Sequence, residues 1–205
     1  MSCYSKLLVI GTWLLAGGIS PIATATETPI VQTTIAQTDT RTQAQQLFDE
    51  GWELFEQGTA QSYQQAIGKW EAALPLWREV GDKNKEGETL VGIGFIYSKL
   101  GFKPKALEAY NVALPLFRAV KDQEWEATTL NNIGKVYDDL GEKQQALEYY
   151  QQALPLRRAV GDRSGEATTL NNIGKVYDDL GEKQQALEYY QQALPLRRAV
   201  GDRSG

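Results

Sequence analysis

The chain has 205 residues, with 21 Lys+Arg against 26 Asp+Glu, a formal charge of −5, no histidine and a single cysteine, Cys3. Those absences exclude Ser-His-Asp and Cys-His catalysis, zinc sites built on Cys and His, and any disulfide within the chain. The acidic balance argues against a nucleic-acid partner, which would draw a basic surface.

The first residues read as an export leader. Lys6 supplies the positive end, Leu7 to Ile19 form an apolar run, Pro21 breaks it, and Ala23-Thr24-Ala25 supplies small residues at a cleavage point. The run is too short to span a bilayer, where about 20 apolar residues are needed. Residues 1–25 are therefore expected to be a signal peptide cleaved after Ala25. The mature chain would be periplasmic or extracellular, with no membrane association after cleavage. Residues 26–43 follow as a threonine-rich segment without a helical stripe and are expected to be a linker.

A period of forty residues governs the rest. Residues 126–165 and 166–205 are identical, and 87–126 matches 127–166 at 21 of 40 positions. The expected units are 44–86, 87–126, 127–166 and 167–205, the first carrying three inserted residues after Gly58. Such self-similarity marks stacked supersecondary units that bury their apolar faces against one another. In the third unit Leu130, Ile133, Gly134 and Tyr137 recur at helical spacing, and Leu140-Gly141 ends that helix. A second helix carries Ala146, Leu147, Tyr150, Ala153 and Leu154, and stops at Gly161. Asp162 or Ser164 is placed to cap the helix after it. Pro75, Pro115, Pro155 and Pro195 fall inside the second helices, where a shared kink is expected. The fold class that follows is all-α, a right-handed α-solenoid of about four antiparallel helix pairs.

The positions Leu130, Ile133-Gly134, Tyr137, Ala146, Tyr150 and Ala153 resemble the tetratricopeptide pattern. They recur as Leu90, Ile93-Gly94, Tyr97, Ala106, Tyr110 and Ala113, and again from Leu170 to Ala193. The first unit is a looser version, with Leu47, Gly51, Leu54, Ala66, Trp70 and Ala73. The forty-residue length is similar to the repeats of kinesin light chains, of Leu-Gly-Asn adaptors and of bacterial tetratricopeptide proteins with a Gly-Asp-Arg motif like Gly161-Asp162-Arg163. The resemblance implies a non-catalytic scaffold without cofactor or metal, and a protein or peptide partner. Some bacterial members continue into a caspase-like domain, so a sensor part of a longer effector protein is an alternative.

In such a stack the first helix of each unit lines the concave surface. Counted along each unit, places 2, 5, 9 and 12 project there, with place 6 at their flank. They hold Asn131, Asn132, Lys135 and Asp138 in unit three, Asn171, Asn172, Lys175 and Asp178 in unit four, Val91 and Phe95 in unit two, and Phe48, Trp52 and Phe55 in unit one. A trough is expected that is apolar near the N-terminal end and polar toward the other. Asparagine offers a donor and an acceptor to an extended main chain, and Leu130-Asn131-Asn132-Ile133 is similar to the groove sequence of kinesin light chains. The lysines are placed to meet acidic groups, as in carboxylate-clamp members of the family, while Asp138 and Asp178 one turn away oppose that attraction. Two plainer readings compete. Solvent alone also selects Asn, Lys and Asp, and residues 26–43 offer a cover for Phe48, Trp52 and Phe95. Asp138 and Asp139 are adjacent and do not face each other, which argues against a metal or acid–base pair. Finally, Tyr190 and Leu194 face a side with no following helix, so end-to-end self-association is a further expectation.

Overall fold

A computed structural model describes residues 29–201, with side chains from Gln37 onward. The expected export leader, residues 1–25, lies outside the described residues. Eight helices follow one another: α1 (Pro29–Glu56), α2 (Ala60–Glu79), α3 (Lys83–Lys99), α4 (Lys103–Val120), α5 (Gln123–Asp139), α6 (Lys143–Val160), α7 (Arg163–Asp179) and α8 (Lys183–Ala199). They form four antiparallel hairpins, α1/α2, α3/α4, α5/α6 and α7/α8, and each hairpin leans on the next through the seams α2/α3, α4/α5 and α6/α7. This is an all-helical solenoid of four repeats.

The forty-residue pattern explains the stops. Asp82, Asp122 and Asp162 cap α3, α5 and α7, each accepting a hydrogen bond from the backbone N–H three residues on, at 3.1, 3.0 and 2.8 Å. Asp162, not Ser164, is thus the cap. The extra residues of the first repeat build the turn into α2, where Thr59 and Ser62 form a reciprocal capping box. Each second helix runs unbroken through its proline.

Within a hairpin the helices touch because a glycine faces a ring. A Cβ on Gly94 would sit 2.7 Å from the Tyr110 ring, and one on Gly134 2.8 Å from Tyr150. The rings of Trp70, Tyr110 and Tyr150 are fully buried there, between Ala66, Ala106 and Ala146 and Ala73, Ala113 and Ala153 one turn to either side. Ile133 and Val136 of α5, like Ile173 and Val176 of α7, turn instead toward the preceding hairpin and are also fully buried.

The segment expected as a linker is different in the structure. From Pro29 it is the first half of α1, continuous with the packed part of that helix. After Pro29 no proline or glycine interrupts it before Gly51, so a helix nucleated by packing at Ala44 and Phe48 propagates back into it. Contacts at its C-terminal end hold it: Arg41 pairs with Asp82, and the Thr40 hydroxyl donates to Glu79. Residues 29–43 therefore extend α1 rather than fold over the trough. Among the described helices none is long and apolar enough to cross a membrane.

Candidate functional site

The first helices α1, α3, α5 and α7 carry the expected trough places, and the structure sorts them by depth. Phe48 is a correction: at 5% exposure it is a core residue, packed on Trp70 and Trp77 with ring centroids 6.5 and 6.4 Å away. Its ring turns toward α2 of its own hairpin, and the Lys85 ammonium of α3 lies over it at 4.9 Å. Val91, at the same place in α3, is buried too. The polar occupants of that place are half-buried, and Asn131 spends its side-chain oxygen on the seam. It accepts from Asn172 Nδ2 at 3.2 Å and from Thr169 Oγ1 at 3.3 Å.

The remaining aromatic places converge. Trp52, Phe55 and Phe95 are linked ring to ring, at 5.2 Å between Trp52 and Phe55 and 5.7 Å between Phe55 and Phe95, both edge to face. With Trp125 and the Val91 edge they wall a cavity of about 340 Å³ that has Glu88 on its rim. Glu88 is paired with Lys85. Phe95 and Asn132 also border a second, polar cavity of about 550 Å³ lined by Asn131, Lys135, Asn172 and Lys175, so the two lie side by side along the concave face. Asn172 and Lys175 reach this stretch; Asn171 does not. It lies on a third cavity at the C-terminal edge, where its amide oxygen, turned toward Arg197, accepts from that guanidinium at 2.6 Å.

Charge in the polar stretch is already organised. The Asp138 carboxylate, 7% exposed, takes Lys143 of its own repeat and Lys175 of the next, the latter at 2.6 Å. Lys143 also reaches Asp179, and Lys103 reaches Asp139 in the same cross-repeat manner. The hydrogen bond to Asp138 holds the Lys175 ammonium above the ordinary lysine range. Burial pulls Lys143 down, but its bonds to Asp138 and Asp179 outweigh that and raise it as well. Asp179 is held below the carboxylate range, chiefly by the hydrogen bond from Lys143. Asp138 therefore faces its lysines and is not the competing surface charge expected from the sequence.

Lys135 is the exception. Its equivalent Lys175 pairs with the Asp138 of the preceding repeat, but the residue forty before Asp138 is Ser98. Lys135 is exposed and makes no ion pair among the described residues; neither amide group of Asn132 is engaged there. Sequence reasoning missed Trp125 and Lys99, which sits over the Phe95 ring at 5.3 Å. Trp125 stands where the third repeat has Gly165, so the unit-to-unit contrast that found the other trough places would have found it too. Among the described residues no group of three or more His, Cys, Asp or Glu side chains is placed to hold a metal ion.

Residues 88–159 and 125–199 match the tetratricopeptide repeat family, together more than half of the chain. The chain belongs to the tetratricopeptide repeat family. It is, at that level, a protein-interaction scaffold. Solved tetratricopeptide-like structures share its fold: BtubC (BKLC) from P. vanneervenii at 23% identity and TM-score 0.62, covering 70% of this chain and 59% of that one; the apo form of RapI at 18% and 0.73, covering 84% and 64%; and the tetratricopeptide domain of Arabidopsis FLU at 20% and 0.54, covering 57% and 98%. The chain spans less than two thirds of BtubC and of RapI. No curated protein matches it by sequence.

Proposed function

We propose that this tetratricopeptide chain is an exported, non-catalytic scaffold that holds an extended segment of a partner protein along the trough. The observation that carries the reading is the adjacency of the aromatic cavity of Trp52, Phe55, Phe95 and Trp125 and the polar cavity around Lys135, which share Phe95 and Asn132 in their walls. A large apolar side chain of the partner fills the first. The unengaged amide of Asn132 pairs with the partner's main chain, donating and accepting at once. Lys135, lacking an internal carboxylate, meets an acidic side chain next to the anchor. Lys175 does not take that role, because Asp138 and Asp179 already hold it. Export rests on the charged, apolar and small-residue pattern of residues 1–25, and mass analysis of protein recovered outside the cytoplasm is expected to show Thr26 as its first residue.

Panning a phage-displayed library of random peptides on the immobilised chain tests the groove reading. Enriched peptides are expected to share an apolar anchor beside an acidic residue. Trp52→Ala with Phe95→Ala should weaken their binding at least tenfold while the far-ultraviolet circular dichroism stays unchanged, and Lys135→Glu should weaken it about as much. Peptides that bind both variants as tightly as the parent chain would place the site elsewhere.

A further inference from the structure

Repeats three and four meet around one buried carboxylate. Asp138 accepts from Lys143 of its own repeat on Oδ1 at 2.5 Å and from Lys175 of the next repeat on Oδ2 at 2.6 Å. Each oxygen thus carries a charge-assisted hydrogen bond, which a carboxylate needs when it leaves water.

One repeat earlier the chain builds the same surroundings around a residue that brings no charge. Forty positions before Lys143, Tyr150 and Lys175 stand Lys103, Tyr110 and Lys135, but forty before Asp138 stands Ser98. These four residues line the polar cavity of about 550 Å³ that adjoins the aromatic one, with Ser98 half-buried in its wall. Ser98-Lys99 stands where repeat three has Asp138-Asp139, so two negative charges have become one positive charge.

The carboxylates that do line this cavity are already spent. Asp138 holds Lys143 and Lys175, and Asp139 holds Lys103 at 2.5 Å. Lys103 has room for a second carboxylate, because its equivalent Lys143 carries two, Asp138 and Asp179. Lys135 and Lys99 make no ion pair among the described residues, and Lys99 lies over the Phe95 ring.

We infer that Ser98, Lys103 and Lys135 form a seat for a carboxylate, and that its occupant is an Asp or Glu side chain of the partner segment, lodged where Asp138 lies one repeat later. The source of that acid rests on the trough reading above; the seat itself does not. Its two ammoniums belong to different repeats, so the bound acid ties repeat two to repeat three as Asp138 ties three to four. Lys99 adds positive charge beside the seat, which favours the approach of an acid.

Ser98→Asp supplies the acid from the chain itself and tests both halves of the inference. In the full chain without peptide it should raise the urea midpoint. Ser98→Asn should not, and Lys135→Gln should remove most of the gain. Acidic peptides selected on the parent chain, amidated at the C-terminus, are then compared with their Glu→Gln or Asp→Asn counterparts. The parent should hold the acidic forms about fivefold tighter, and the Ser98→Asp chain should hold both forms alike. A midpoint that Ser98→Asp leaves unchanged or lowers, or a gain that survives Lys135→Gln, would overturn the seat whatever the peptides do. An acid preference that persists in the Ser98→Asp chain would overturn the occupant. If panning returns no peptide while the Ser98→Asp gain holds, the trough reading falls, the partner's acid falls with it, and the seat stands.

Discussion

Lys175 of the fourth repeat places its ammonium 2.6 Å from the Asp138 carboxylate of the third. That bond, with the one from Lys143, removes a buried negative charge from the trough and ties two repeats together. Hydrogen bonds to charged groups contribute about 1.5–3 kcal/mol. Asp138→Asn is expected to cost that much in urea denaturation. Asp178→Asn, the same residue in the identical sequence one repeat later, is exposed and without an ion pair among the described residues, and should stay within about 0.5 kcal/mol of the parent. Equal losses for both would show that the cross-repeat bond does not stabilise the stack.

Phe48 and Trp52 lie one turn apart and separate stability from recognition. Phe48→Ala opens a hole against Trp70 and Trp77 and is expected to cost about 3–5 kcal/mol. Trp52 stands at 37% exposure on the trough, and Trp52→Ala should cost less than about 2 kcal/mol while reducing peptide binding. Thermal melts of the two variants, run beside a binding titration, check the contrast.

Lys121 ends α4 at φ 59°, the left-handed conformation that Gly81, Gly161 and Gly201 adopt at the equivalent places. A side chain there crowds the carbonyl that follows it, and glycine does not. Lys121→Gly is expected to stabilise the protein by about 0.5–1 kcal/mol, visible as a higher urea midpoint. A lower midpoint would mean that the lysine side chain contributes more than its backbone strain costs.

Alkaline pH should unfold the stack through its inner rings. Burial pushes the Tyr110 hydroxyl well above the ordinary tyrosine value of 10, and burial with the nearby Asp138 and Asp139 charges does the same at Tyr150. The folded state then holds protons that the unfolded state has released, so this stabilisation is whole below pH 10 and is lost as the pH climbs through the raised folded values. Each ring contributes a slope of about 1.4 kcal/mol per pH unit in that window. Absorbance at 295 nm and circular dichroism, followed together above pH 10, should change in one step, and Tyr110→Phe should move that step to higher pH. Ionisation of all tyrosines near pH 10 with the helices intact would contradict the burial.

Local patterns carried most of the fold. Helix stops at Gly141 and Gly161, the cap at Asp162, and the facing of Gly134 by Tyr150 depend on residues a few positions apart or on one repeat seen several times, which a period of forty makes legible. The trough was legible in part. Comparing repeats marked Trp52, Phe55, Phe95, Asn132 and Lys135, because a place free to vary between otherwise matching units is not a packing place. It misjudged Phe48, whose ring packs on Trp70 and Trp77 of its own hairpin's second helix, a contact that spacing along α1 alone does not show. It also read residues 26–43 by composition, where packing at Ala44 and Phe48 draws the helix back to Pro29.

What the amino-acid order determined alone is the hairpin and its helix ends, because each rests on short-range sterics and hydrogen bonds that every repeat satisfies for itself. Which charges are spent and which remain was decided only between repeats. Asp138 and Asp178 have identical flanking sequence, yet one is locked to two lysines and the other faces water, for a carboxylate's partner across a seam depends on which helix the stack lays beside it. The same holds for Tyr150 and Tyr190, one sealed and one bare on equal sequence, because burial belongs to the neighbour and not to the residue.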